Sequence, residues 1–106
     1  MNLPGSPFLV YRDGQLHLED INLADLTRTH GTPLYVYSRR AMLAALAPYQ
    51  QALRGRDHLV CFAVKSNSNL AVLQTFAQAG CGFDIVSGGE LARDRKSTRL
   101  NSSHGY

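Results

Sequence analysis

The sequence predicts an α/β fold, and two patterns carry that expectation. Across residues 59–87, two short runs rich in β-formers, "LVCFAV" and "GFDIVS", flank a helical stretch with short loops on either side. Strand, helix and strand in that order make a βαβ unit, so the strands are expected to be parallel and the crossover right-handed. Near the start, "FLVYRDGQLHLE" alternates apolar and polar residues on both sides of an Asp-Gly pair. That is the signature of an antiparallel hairpin, and a hairpin belongs to a different layer from a parallel sheet.

Taken in order, Asp13-Gly14 supplies the positive φ angles of a type I′ turn, pairing residues 8–12 with 15–19. In "INLADLTRTHGTP", Asn22 can cap a short helix and Asp25 sits near the positive end of its dipole. Ile21 can staple onto Leu26, and Gly31 and Pro33 end the helix. "PLYVYS", residues 33–38, reads as a short strand. Ser38 then caps a longer helix with Leu43, Leu46 and Leu53 on one face, and Pro48 is expected to kink or split it. The continuous apolar run of residues 59–64 predicts a strand buried on both faces. In the helix that follows, Asn69 caps, Leu70, Leu73, Phe76 and Ala77 make the inner face, and Gly80 closes the element.

Composition narrows the function classes. The formal charge is +3, but the stretch from Asp94 onward holds Arg95, Lys96 and Arg99 against a single acid. The rest carries eight basic and seven acidic residues, so electrostatics give no reason to expect a nucleic-acid partner. The opening "MNLPGSPFLV" has neither a basic n-region nor an apolar run long enough for a signal peptide or membrane span, and the cytoplasm is the expected compartment. Cys61 and Cys81 lack CxxC spacing and are expected to be small buried hydrophobes in a reducing compartment. His17, His30 and His58 show no metal-ligand spacing and are expected at the surface. "DRKSTRLNSSH", residues 94–104, is polar and without periodicity. It resembles the translation of a sequencing-adapter oligonucleotide, and is expected to stop the helix that begins near Glu90. Residues 94–106 are therefore expected to be an artefactual tail on the front piece of a longer protein.

The chemistry centres on Lys65, which follows six apolar residues directly. A strand often ends on lysine because the stem packs while the ammonium reaches water. Alternatively, a lysine among apolar neighbours holds more neutral amine, the form that attacks an aldehyde. In a parallel sheet ligands bind at the carboxyl ends of the strands. Lys65 lies at that end of one strand, and Ser87-Gly88-Gly89-Glu90 at that end of the next.

Three segments, "YVYSRRAM", "LVCFAVKSNSNLAVL" and "GCGFDIVSGGELAR", together resemble the front of the fold-type III pyridoxal-phosphate-dependent decarboxylases. The resemblance spans residues 8–93, and its most specific pieces are Ala63-Val64-Lys65 with Asn67 and Asn69, and Phe83-Asp84 with Ser87-Gly88-Gly89-Glu90-Leu91. It implies the first part of a pyridoxal-phosphate-binding (β/α)8 barrel over residues 34–93. Residues 1–33, with the hairpin and short helix, would then belong to a separate β-domain. It also implies that Lys65 carries pyridoxal 5'-phosphate through its amine and is catalytic, with Asp84, Ser87 and Glu90 lining the cofactor pocket. The branch it is most similar to decarboxylates meso-2,6-diaminopimelate to L-lysine, as a homodimer with a small amino-acid substrate.

Other readings stay open on the residues alone. Asp84 also reads as a paired or capping carboxylate, since a lone acid in an apolar strand needs a partner. Ser87 and Glu90 fit S-x-x-E, a plain capping box. Gly88-Gly89 is not expected to bind phosphate, because the family's phosphate loop lies later in the barrel. The rival functions are decarboxylation of ornithine, arginine or a carboxylated polyamine, a non-catalytic cofactor-binding barrel, and a purely structural fragment. A whole barrel takes roughly 250 residues. Two of its strands leave open edges, so the 106 residues alone are expected to be marginally stable and inactive.

Overall fold

The computed structural model describes residues 3–85 and 88–99. It divides into two compact units, residues 1–42 and 43–106.

The first unit holds a three-stranded antiparallel sheet in the order β1-β2-β3, formed by β1 (Leu9–Arg12), β2 (Gln15–Leu18) and β3 (Ile21–Asn22). Asp13 and Gly14 both take positive φ, 52° and 75°, and the register pairs Arg12 with Gln15 across them. The type I′ hairpin is thus the one expected. A third strand was not expected: Ile21 pairs with Leu18 through a second tight turn at Glu19-Asp20. Two residues are too short to read as a strand in a sequence, because the ladder, not propensity, creates them.

Helix α1 (Leu23–His30) starts where Asn22 Oδ1 accepts the amides of Ala24 and Asp25 at 2.9 and 3.3 Å. It ends where the Gly31 amide reaches Thr27 O at 2.7 Å. The strand expected at residues 33–38 is absent: residues 34–38 have no regular secondary structure, and Tyr35 is 87% exposed. "LYVY" has strong β-propensity, but a strand exists only against a partner, and no described strand pairs with it.

Helix α2 (Arg39–Ala52) belongs to both units and stays one helix despite Pro48. Proline leaves the carbonyl four residues back, that of Ala44, without its helical donor. Ala44, Ala45, Pro48 and Tyr49 are all exposed, so water can satisfy that carbonyl. Of the expected apolar face only Leu46 is buried, while Leu43 and Leu53 are half-buried.

The second unit contains the βαβ unit. Strand β4 (Cys61–Ala63) pairs in parallel with β5 (Gly82–Asp84), with Cys61, Phe62 and Ala63 opposite Gly82, Phe83 and Asp84. Helix α3 (Leu70–Gln78) connects them, capped by Asn69 Oδ1 on the amides of Ala71 and Val72 at 2.9 and 3.3 Å. At its far end Gly80 takes φ 91°, which lets Cys81 N reach back to Phe76 O at 3.0 Å. Helix α4 (Gly88–Arg99) packs against α3.

Three expectations are corrected here. Residues 59–64 are not a strand buried on both faces: β4 is three residues long, Leu59 and Cys61 are exposed, and only Val64 is fully buried. A parallel strand disappears into a protein when it has neighbours on both edges and helices on both faces. β4 has one described neighbour. Next, α3 buries Val72, Leu73, Thr75 and Ala77, with Leu70 and Phe76 only half-buried. A helix packed on a sheet and on α4 buries a wider arc than one stripe, and Thr75 satisfies its hydroxyl on Ala71 O at 2.9 Å. Finally, the helix that begins near Glu90 does not stop before Asp94. It runs to Arg99, and Asp94 is fully buried within it.

Val64, Leu73, Ala77 and Phe83 form the core, with Phe62, Phe76 and Ile85 packed on it. Leu73 is 0% exposed at its centre. Leu73→Ala is therefore expected to lower the unfolding free energy by about 2–5 kcal/mol. Gln51→Ala, on the solvent side of α2, should stay within about 0.5 kcal/mol. Urea unfolding of the full-length protein, followed by circular dichroism, measures both.

Candidate active site

The site is built by the exit from β4. After Ala63 the chain turns into a short 3₁₀ segment, Val64–Ser66, whose last amide bond runs from Asn67 N to Val64 O at 3.1 Å. Val64 is fully buried in the core, so the backbone on the N-terminal side of Lys65 is pinned from below. Phe62, two residues earlier, stacks on Phe76 with ring centroids 4.5 Å apart and planes 17° from parallel. Asn67 Oδ1 accepts the amide of Asn69 at 2.9 Å, and Asn69 in turn caps α3. The two asparagines are thus spoken for by the backbone. They fix the loop that follows the lysine.

Lys65 itself is exposed. It sits in the 3₁₀ turn, two residues past the end of β4, rather than directly at a strand end as the sequence suggested. The parallel register opposes Ala63 to Asp84, so Lys65 and Asp84 leave the sheet at the same carboxyl edge. Asp84 is exposed as well, which removes the need for a buried partner: water solvates it. Glu90 lies in the first turn of α4 and is half-buried. α4 packs against the 3₁₀ turn that carries Lys65, bringing the Glu90 helix to the same edge. Lys65 and Asp84 therefore share one end of the sheet, and the helix that carries Glu90 packs against the turn that carries Lys65. The fourth expected site residue, Ser87, lies outside the described residues, and so does its capping-box role.

A solvent-accessible primary amine, set at a strand's carboxyl end on the edge that Asp84 shares, fits a cofactor that presents an aldehyde. Among the described residues no cluster of three His, Cys, Asp or Glu could hold a metal ion.

The cysteines are only half as expected. Cys81 is buried, but Cys61 is exposed on β4. Gly82 lies opposite Cys61, and a Cβ at Gly82 would come 3.2 Å from Cys61 Sγ, so Cys61 occupies the space beside the missing side chain. Burial, and then the neighbouring Cys61, push the Cys81 thiol above its ordinary pKa.

Comparison with known proteins agrees with this geometry. Residues 39–98 match the family described as pyridoxal-dependent decarboxylase, pyridoxal binding domain. The chain belongs to that family. More particularly, it is 54% identical over 83 residues to diaminopimelate decarboxylase of Pseudomonas fluorescens, covering 78% of this chain and 20% of that one. It is 51% identical over 86 residues to the Vibrio cholerae enzyme of the same name, covering 81% and 21%. The crystal structure of diaminopimelate decarboxylase from M. jannaschii in complex with L-lysine superposes with a TM-score of 0.83 at 32% identity, covering 91% of this chain and 24% of that one. This chain thus spans about a fifth of the length of the two bacterial relatives.

The thiols give a direct check on this geometry. At pH 8 Cys61 is expected to react with a disulfide reagent in a fast phase, and Cys81 only slowly, because less of it is thiolate and burial blocks access. Cys61→Ser should abolish the fast phase, and urea should make both thiols react together. Two equal phases in the folded chain would contradict the placement of β4.

Proposed function

We propose that this chain contributes the first strands of the cofactor-binding barrel of a pyridoxal-phosphate-dependent decarboxylase acting on meso-2,6-diaminopimelate to give L-lysine. The observation that carries the reading is the parallel register of β4 and β5, which sets Lys65 and Asp84 at one carboxyl edge. The 54% identity to a diaminopimelate decarboxylase supports the substrate over ornithine, arginine or a carboxylated polyamine. The hairpin before the barrel supports an enzyme over a cofactor-binding protein without catalysis.

In this reading Lys65 holds the cofactor through its amine, with Asp84, Ser87 and Glu90 around it. When bound, the cofactor supplies the electron sink for the pair left behind as the substrate's carboxylate departs as carbon dioxide. The chain's own contribution is placement and proton transfer. Buried Val64 and the Asn67–Asn69 turn hold the base of Lys65 fixed. The Lys65 amine or a neighbouring acid would supply the proton exchanged at the substrate's α-carbon. Carboxylates at Asp84 and Glu90 make the rim favourable to cationic groups. The complete protein, on the same reading, is a cytoplasmic homodimer. Among the described residues, no helix is long and apolar enough to cross a membrane.

Borohydride reduction of the full-length protein with pyridoxal phosphate, followed by peptide mapping, is expected to label Lys65. Label absent from Lys65 would refute the assignment. In the same protein Lys65→Ala should abolish carbon dioxide release from meso-diaminopimelate. Faster release from ornithine or arginine would move the enzyme to another branch of the family. The 106 residues by themselves are expected to release none.

A further inference from the structure

Glu19 is an unusual residue for its place. It occupies the two-residue turn between β2 and β3 with φ 55°, in the left-handed region. Glycine or asparagine takes that conformation with less strain, so backbone geometry does not explain a glutamate there. Its side chain does. The carboxylate is only 23% exposed and turns toward the start of α2. Oε2 accepts the hydroxyl of Ser38 at 2.8 Å, and Ser38 is 6% exposed. The Arg40 amide lies 3.5 Å from the same oxygen, and Arg40 Nε lies 3.2 Å from Oε1. Ser38 is meanwhile the helix cap proper: its Oγ accepts the Ala41 amide at 3.0 Å, and its carbonyl accepts the Met42 amide at 3.1 Å.

We propose that Glu19 is a strap: its carboxylate, delivered from the β2–β3 turn, is the outer cap of α2 and ties the sheet to the first turn of that helix. Three features make the link specific. A charged acceptor at a helix N-terminus is favoured by the orphan amides and by the dipole. The bond from Ser38 to a carboxylate is charge-assisted and fixes the hydroxyl so that its lone pair faces Ala41 N. Glu19 is also anchored behind, its own amide donating to Phe8 O at 2.7 Å. Neighbouring Asp20 pairs with Arg12 and Arg40 at 3.3 and 3.5 Å but is 69% exposed, so it adds far less. The arrangement spans about twenty residues of sequence and does not depend on whether Lys65 carries a cofactor.

Amide hydrogen exchange in the full-length protein, resolved at Arg40, Ala41 and Met42, tests the strap. Glu19→Gly relieves the left-handed backbone and deletes the carboxylate, so the two explanations predict opposite signs. If the strap holds, exchange at these amides accelerates about fivefold, the size of a lost cap. Glu19→Gln keeps an acceptor without the charge and should give a smaller rise, while Asp20→Asn should change exchange less than either. Unchanged or slower exchange in Glu19→Gly overturns the proposal. So does a wild-type chain whose three amides exchange at the rate of an unstructured peptide.

Discussion

The register of one pair of strands governs the second unit. With Ala63 opposite Asp84 in a parallel ladder, every residue just past either strand must emerge at the same edge. A parallel pairing needs a crossover element, and α3 supplies it with a buried face of Val72, Leu73, Thr75 and Ala77. If β4 slipped by one residue against β5, Phe62 and Val64 would exchange faces with Cys61 and Ala63. The core would lose its fully buried valine, and Lys65 would start from the wrong side. Packing around Val64 and placement of the amine are therefore one constraint. Gly82 belongs to it too, because a side chain there would meet Leu59 Cδ2 at 2.9 Å and Cys61 Sγ at 3.2 Å.

The first unit is organised differently. Its sheet is small and its helix α1 has no fully buried residue, so the hydrophobic effect alone gives it little definition. Polar devices take over that role: a type I′ turn at Asp13-Gly14, the Asn22 cap, and an ion pair between Asp25 and Arg28 on α1. The Glu19–Ser38–Arg40 cluster adds a connection distant in sequence. Exposed ion pairs contribute little singly, so the weight falls on the bonds that involve buried Ser38.

What the sequence revealed follows from how local each signal is. The hairpin, both asparagine caps and the Gly80 closure depend on a few adjacent residues, and each appears where it was expected. The ends of the βαβ unit were legible for the same reason, and with them the meeting of Lys65, Asp84 and the Glu90 helix. Features that depend on partners were not. The "LYVY" segment has the propensity of a strand but no ladder to join, and Cys61 is exposed because β4 has one described neighbour. The continuation of α4 past Asp94 was missed because a polar, aperiodic stretch gives no helical stripe to see. The Glu19 strap was invisible for the opposite reason: no local rule links a turn acid to a cap nineteen residues away.

Position and environment separate cleanly at Lys65. A lysine gains neutral amine when apolar surroundings or nearby cations disfavour its charge. The described residues give Lys65 a fixed base on Val64 and acids along the same edge, yet leave the side chain exposed. What this part of the fold provides is therefore location. Enclosure has to come from surfaces other than β4, β5 and α3, and relatives about four times as long as this chain have the residues to supply them. A barrel divides the work in just this way: each strand end offers one group, and the pocket exists only where several strand ends converge. Lys65 is thus placed by local packing, while on the proposed function its reactivity would be a property of the assembled rim.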